Sequence, residues 1–90
     1  MNRAAYLAVL PGAGTGEGHG VDLEKAGALA HCWLDGEMAL VITDKSRSKI
    51  YHAIKRQLGS NGALLIAPLS GAPKFKGMAA GSTKWARHYL

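Results

Sequence analysis

Lys45, Lys49, His52 and Arg56 recur at i, i+4, i+7 and i+11, the spacing that places side chains on one face of an α-helix. Ile50, Ile54 and Leu58 stand four apart between them and make the opposing apolar stripe. A segment patterned this way buries one side and presents a line of cations on the other. Fixed cations in a line attract phosphates, whose own counterions are released on contact. Lys45, Arg47 and Lys49 also crowd the expected helix N-terminus, where the macrodipole disfavours positive side chains. A helix patterned only for stability carries acids there. The residues therefore read as an anion-binding ridge, with a solvated charged face as the competing interpretation.

A second basic set, Lys74, Lys76, Lys84, Arg87 and His88, surrounds Phe75, Trp85 and Tyr89. Cations interleaved with aromatic rings suit single-stranded nucleic acid, because phosphates meet the charges while bases stack on the rings. Trp85 and Tyr89 share helical spacing with Met78 and Ser82, as core or dimer residues would, so Phe75 is the ring expected to be exposed. Charge along the chain is divided in the same sense. Residues 1–44 hold all six carboxylates and two cations, a net −4, whereas residues 45–90 hold nine Lys and Arg and no carboxylate. The overall +5 conceals this split, which points to an anionic partner for the second half.

Other chemistries find less support. His19, His31, His52 and His88 lack ligand spacing and there is no Cys-x-x-Cys, so no metal site is expected. Neighbouring strand residues point to opposite faces, so His31 is badly placed to take a proton from Cys32; the single cysteine reads as a buried thiol. Gly12, Gly14, Gly16, Gly18 and Gly20 follow an apolar run, but the third position of a dinucleotide fingerprint falls on Glu17, His19 or Val21, and no Gly-Lys-Ser/Thr follows. The tract, residues 11–20, is expected to be a connecting loop. No catalytic residue and no cofactor is assigned.

The elements that position these residues are legible from apolar runs and breakers. Ala4 to Leu10 predicts a strand ended by Pro11-Gly12. Val21 to Ala30 is a short helix candidate weakened by Gly27. His31–Leu34 and Met38–Thr43, joined by Asp35-Gly36-Glu37, predict a hairpin. Asp44 or Ser46 can cap a helix that runs to about Leu58, where Gly59 stops it. Ser60-Asn61-Gly62 reads as a turn, Ala63–Leu69 as a strand with Pro68 near its end, Ser70–Gly77 as a loop and Met78–Leu90 as a final helix.

This order predicts one α+β domain over residues 1–90, a ferredoxin-like βαββαβ antiparallel sheet with an added C-terminal helix. Met38, Leu40 and Ile42 oppose Ala39, Val41 and Thr43, so both sheet faces are apolar, and the second must be covered by another subunit, by the C-terminal helix or by a partner. A homodimer is expected. No run approaches the length of a membrane span, and the lone cysteine fits a reducing, cytoplasmic setting.

From His31-Cys32-Trp33-Leu34-Asp35 and Ala39-Leu40-Val41-Ile42-Thr43, through Leu64-Leu65-Ile66-Ala67-Pro68-Leu69-Ser70-Gly71, to Phe75-Lys76-Gly77 and Lys84-Trp85, the chain resembles the SinR-like proteins, small relatives of the CRISPR-associated Cas-two and VapD proteins. The resemblance implies a ferredoxin-like homodimer that touches nucleic acid. Nucleases of that group place an aspartate at the end of the first strand, where this chain has Leu10, Pro11 and Gly12; metal-dependent cleavage loses its main residue. The leading expectation is a non-catalytic module that binds RNA or DNA through Lys45, Arg47, Lys49, His52 and Arg56, together with Lys74, Lys76, Lys84, Arg87 and Phe75. The alternatives are an anti-CRISPR-like protein that inhibits a nucleoprotein defence complex, and a toxin-type endoribonuclease using His52 or His88 for acid–base work.

Overall fold

The computed structural model describes residues 3–12, 20–59 and 62–90. Four strands, β1 (Ala4–Val9), β2 (Ala28–Trp33), β3 (Met38–Thr43) and β4 (Leu65–Leu69), form one sheet in the order β2-β3-β1-β4 with every neighbour antiparallel. Helix α1 (Arg47–Leu58) joins β3 to β4, and α2 (Ser82–Tyr89) follows β4. The protein is thus α+β with a four-stranded antiparallel sheet. The glycine tract expected as a loop lies mostly outside the described residues, as do two residues of the Ser60-Asn61-Gly62 turn. Among the described residues no helix is long and apolar enough to cross a membrane.

Each strand contributes to two apolar layers, and each layer has its own helix. Tyr6 and Ala8 of β1 and Ala39 and Val41 of β3 pack with Ile50 and Ile54 of α1, together with Leu10, Val21, Leu23, Ala26 and Ala28. The intervening residues, Leu7 and Leu40, belong to a second cluster with Leu34 and Ala86, against which Trp85 and Leu90 also pack. Since successive strand side chains alternate faces, α1 and α2 cover opposite faces of the sheet. Of the three covers expected for the second apolar face, the C-terminal helix is the one observed.

Local chemistry explains the element ends. In the β2–β3 turn Asp35 Oδ1 accepts from the N–H groups of Glu37 (2.7 Å) and Met38 (2.8 Å), which is how a short carboxylate replaces missing backbone partners. Ser46 caps α1, its Oγ accepting from Lys49 N at 3.2 Å, and Gly59 closes it. Pro68 lies on β4, an edge strand, where its missing N–H interrupts no central ladder.

Three expectations need correction. Residues Val21–Ala30 do not form a helix: residues 23–27 make a turn and Ala28 already starts β2. Gly27 has φ +114°, a conformation that ends a helical path, and Ala28 N donates to Leu23 O at 2.9 Å, closing the turn. The βαββαβ order therefore lacks its first crossover helix among the described residues. The final helix starts at Ser82, not Met78. A turn precedes it, with Ser82 Oγ donating to Ala79 O at 2.6 Å. This displaces the expected Met78/Ser82/Trp85/Tyr89 stripe: Ser82 and Ala86 are the buried pair, and Tyr89 is 45% exposed. Finally, Cys32 is half-buried, its sulfur 3.7 Å from Ser82 Oγ at the junction of β2 and α2.

Candidate nucleic-acid interface

The apolar stripe of α1 turns its basic side outward. Lys45, Lys49, His52 and Arg56 are exposed and line one open groove of about 480 Å³. Lys25 lines the same groove, contributed by the loop between β1 and β2. That residue was not in the sequence-derived set. It lies in the net-negative half, and only the turn at residues 23–27 brings it beside α1. Arg47 is exposed in the first turn of α1 but does not line the groove. His52 packs edge-on against the Tyr51 ring, with centroids 5.1 Å apart.

The groove is fixed from three sides. Gln57 clamps the loop by a paired amide contact: Asp22 N donates to Gln57 Oε1 (2.8 Å) and Gln57 Nε2 donates to Asp22 O (2.9 Å). The stem of Lys45 lies across Gly27, close enough that a β-carbon there would stand 3.0 Å from Lys45 Cγ. Beneath both, Thr43 Oγ1 donates to Gly27 O (2.8 Å) and accepts from Lys45 N (3.0 Å). The loop that carries Lys25 is thereby fixed along α1, tied at Asp22 to Gln57 and at Gly27 to Lys45. A row of cations on a braced backbone loses less conformational freedom on binding than the same charges on a free chain.

The acids serve another purpose. Asp22, Asp35 and Glu37 accept from backbone N–H groups of Lys25, of Glu37 and Met38, and of Gly12 respectively. Glu37 Oε1 reaches Gly12 N at 2.7 Å, in the turn that follows β1. Three of the six carboxylates of the first half thus stitch turns. Among the described residues no group of three or more His, Cys, Asp or Glu side chains gathers as a metal site.

The second basic set lies elsewhere. Lys74, Lys76, Lys84 and Arg87 are exposed, but α2 and the segment before it pack on the sheet face opposite α1. The ridge and the C-terminal set are therefore two separate surfaces. Phe75, expected as the free ring, is half-buried against the Leu34/Leu40/Ala86 cluster. Met78 packs on the same cluster, so the apolar face that α2 covers also draws in the loop before it. Comparison with family models, with curated proteins and with solved structures gives no match to this chain.

Proposed function

We propose that this protein is a non-catalytic module that binds a polyanion, RNA or DNA, through the groove of α1. The observation that carries the reading is the meeting of Lys25, Lys45, Lys49 and Arg56 along one groove, with His52 among them. The ferredoxin-like assignment and the SinR-like kinship belong to the same proposal. The former is supported by the β2-β3-β1-β4 antiparallel order, which is the order that two split βαβ units produce; the latter rests on the sequence resemblance alone. Phosphate contacts would dominate, with little sequence preference. A nucleic-acid mimic built on the acidic half is less favoured, because three of its carboxylates are engaged by backbone N–H groups.

Titration of labelled RNA and duplex DNA across salt concentrations tests the reading. Four phosphate-contacting cations give slopes of log K against log salt of about −2.8 for a single strand and about −3.6 for duplex. Raising salt from 50 to 200 mM should then weaken RNA binding about fiftyfold. The RNA should remain intact throughout; cleavage without added metal would favour the endoribonuclease reading with His52 as its acid–base group. Absence of binding at low salt would move the search to a protein partner.

The proposal keeps a homodimer. Its support is Leu65, which is 52% exposed on β4, an edge strand whose outer side pairs with no strand among the described residues. Pairing or packing of two such edges covers both the apolar side chain and the free backbone groups. Light scattering at tens of micromolar should give twice the chain mass; the monomer mass would remove the dimer without touching the ridge.

A further inference from the structure

We propose a second nucleic-acid contact on α2, a stacking platform for an unpaired base formed by Trp85 and Tyr89. It rests on the nucleic-acid reading for its ligand class and on none of the ridge residues. The two ring centroids lie 4.6 Å apart with planes tilted by 34°, within the separation at which aromatic pairs attract. Trp85 is half-buried against the second core cluster, which fixes its plane. Tyr89 is exposed and also meets the His88 ring edge-on at 4.6 Å. A ring in contact with two neighbours has less rotamer freedom to lose when a ligand stacks on it.

The surroundings select the ligand. Gly81, Lys84, Trp85, His88 and Tyr89 line an open, mainly apolar recess of about 320 Å³. Tyr89 also borders a second hollow, of about 480 Å³, whose rim includes Arg3 and Ser70. An apolar aromatic floor with cations on both margins fits a flat base whose attached phosphates reach outward. A second copy of this chain fits less well, since a two-fold contact would bring the patch that carries Lys84 and His88 against its own copy, with no carboxylate in it to pair the cations. A duplex hides its bases in the stack, so the platform commits the ligand to a single strand. Because α2 and α1 lie on opposite sheet faces, a strand must pass round the sheet edge to engage both surfaces.

The test uses an oligouridylate of about eight nucleotides, within the usual site size of a stacking groove, with inorganic polyphosphate as the anion without bases. In a Trp33→Phe chain Trp85 is the sole tryptophan, and its fluorescence should be quenched by the oligonucleotide but not by polyphosphate. By anisotropy on the otherwise unaltered chain, Tyr89→Leu should weaken binding about tenfold, the loss expected for one stacked base, while Tyr89→Phe keeps the ring and restores it. Equal quenching by polyphosphate, or wild-type affinity in Tyr89→Leu, would overturn the platform. The two surfaces separate cleanly when Tyr89→Leu is compared with Lys49→Glu/Arg56→Glu. Loss only in the ridge variant leaves the ridge standing without the platform; loss only in Tyr89→Leu does the reverse; loss in neither overturns both.

Discussion

Replacing Lys49 and Arg56 together by glutamate is expected to weaken nucleic-acid binding at 50 mM salt by about a hundredfold, roughly 2.7 kcal/mol, since two attractive contacts become repulsive. The salt slope should flatten by about two, one for each phosphate contact removed. What makes the experiment decisive is the opposite sign expected for stability. Ser46 caps α1 and bonds the N–H of Lys49, so Ser46-Arg47-Ser48-Lys49 has the geometry of a capping box with a cation in the position a glutamate normally fills. Lys49→Glu alone completes the box and places a carboxylate at the positive end of the helix dipole, contributing about 0.5–1 kcal/mol. Thermal unfolding should therefore show Lys49→Glu above wild type while its binding falls. Lys49 in a merely solvated face would give the stability gain with no binding loss, and that outcome would sink the ridge.

Much of this arrangement could be read along the chain, and the failures have physical causes. Strand β3 was expected at its observed bounds, because Asp35-Gly36-Glu37 before it and Asp44-Lys45-Ser46 after it cannot continue a strand. Helix α1 was equally plain, having a cap, a stripe at spacing four and a terminating glycine. The stripe also gave the ridge, since whatever opposes Ile50 and Ile54 must face water. Val21–Ala30 misled because Val21, Leu23 and Ala26 are indeed buried, and burial alone does not distinguish a helix from a turn that folds under one. Tyr89 misled because it does share helical spacing with the buried Ser82, yet it is the last residue of α2 and stays 45% exposed. Two facts were beyond any local pattern. One is that Lys25 joins the groove, which depends on Gln57 gripping the backbone of Asp22. The other is that the two basic segments take opposite faces, since apolar residues on both sides of a strand predict two layers without saying which helix forms which.

Thr43→Val should be the most costly conservative substitution near the groove. The side chain is fully buried and its hydroxyl serves two backbone groups at once, donating to Gly27 O and accepting from Lys45 N. Valine preserves the shape and β-branching that suit a central strand, so packing changes little. Both backbone groups, however, lose their partner in a place with restricted access to water. At about 1–3 kcal/mol for each group left unsatisfied, the loss is expected near 2–4 kcal/mol, a large part of the roughly 5–15 kcal/mol that a small domain has. Urea unfolding should show a lower midpoint at unchanged slope, which locates the effect in stability rather than compactness. Thr43→Ser keeps the hydroxyl and removes one methyl, so it should cost only about 1 kcal/mol. Binding carries the second half of the argument. With the hydroxyl gone, Gly27 and Lys45 are no longer tied together, Lys25 and Lys45 lose their fixed spacing, and RNA affinity should fall a few-fold in Thr43→Val but not in Thr43→Ser. Equal stability of the valine and wild-type chains would mean that Gly27 O and Lys45 N find water instead, and that the groove is held by Gln57 and the packing of α1 alone.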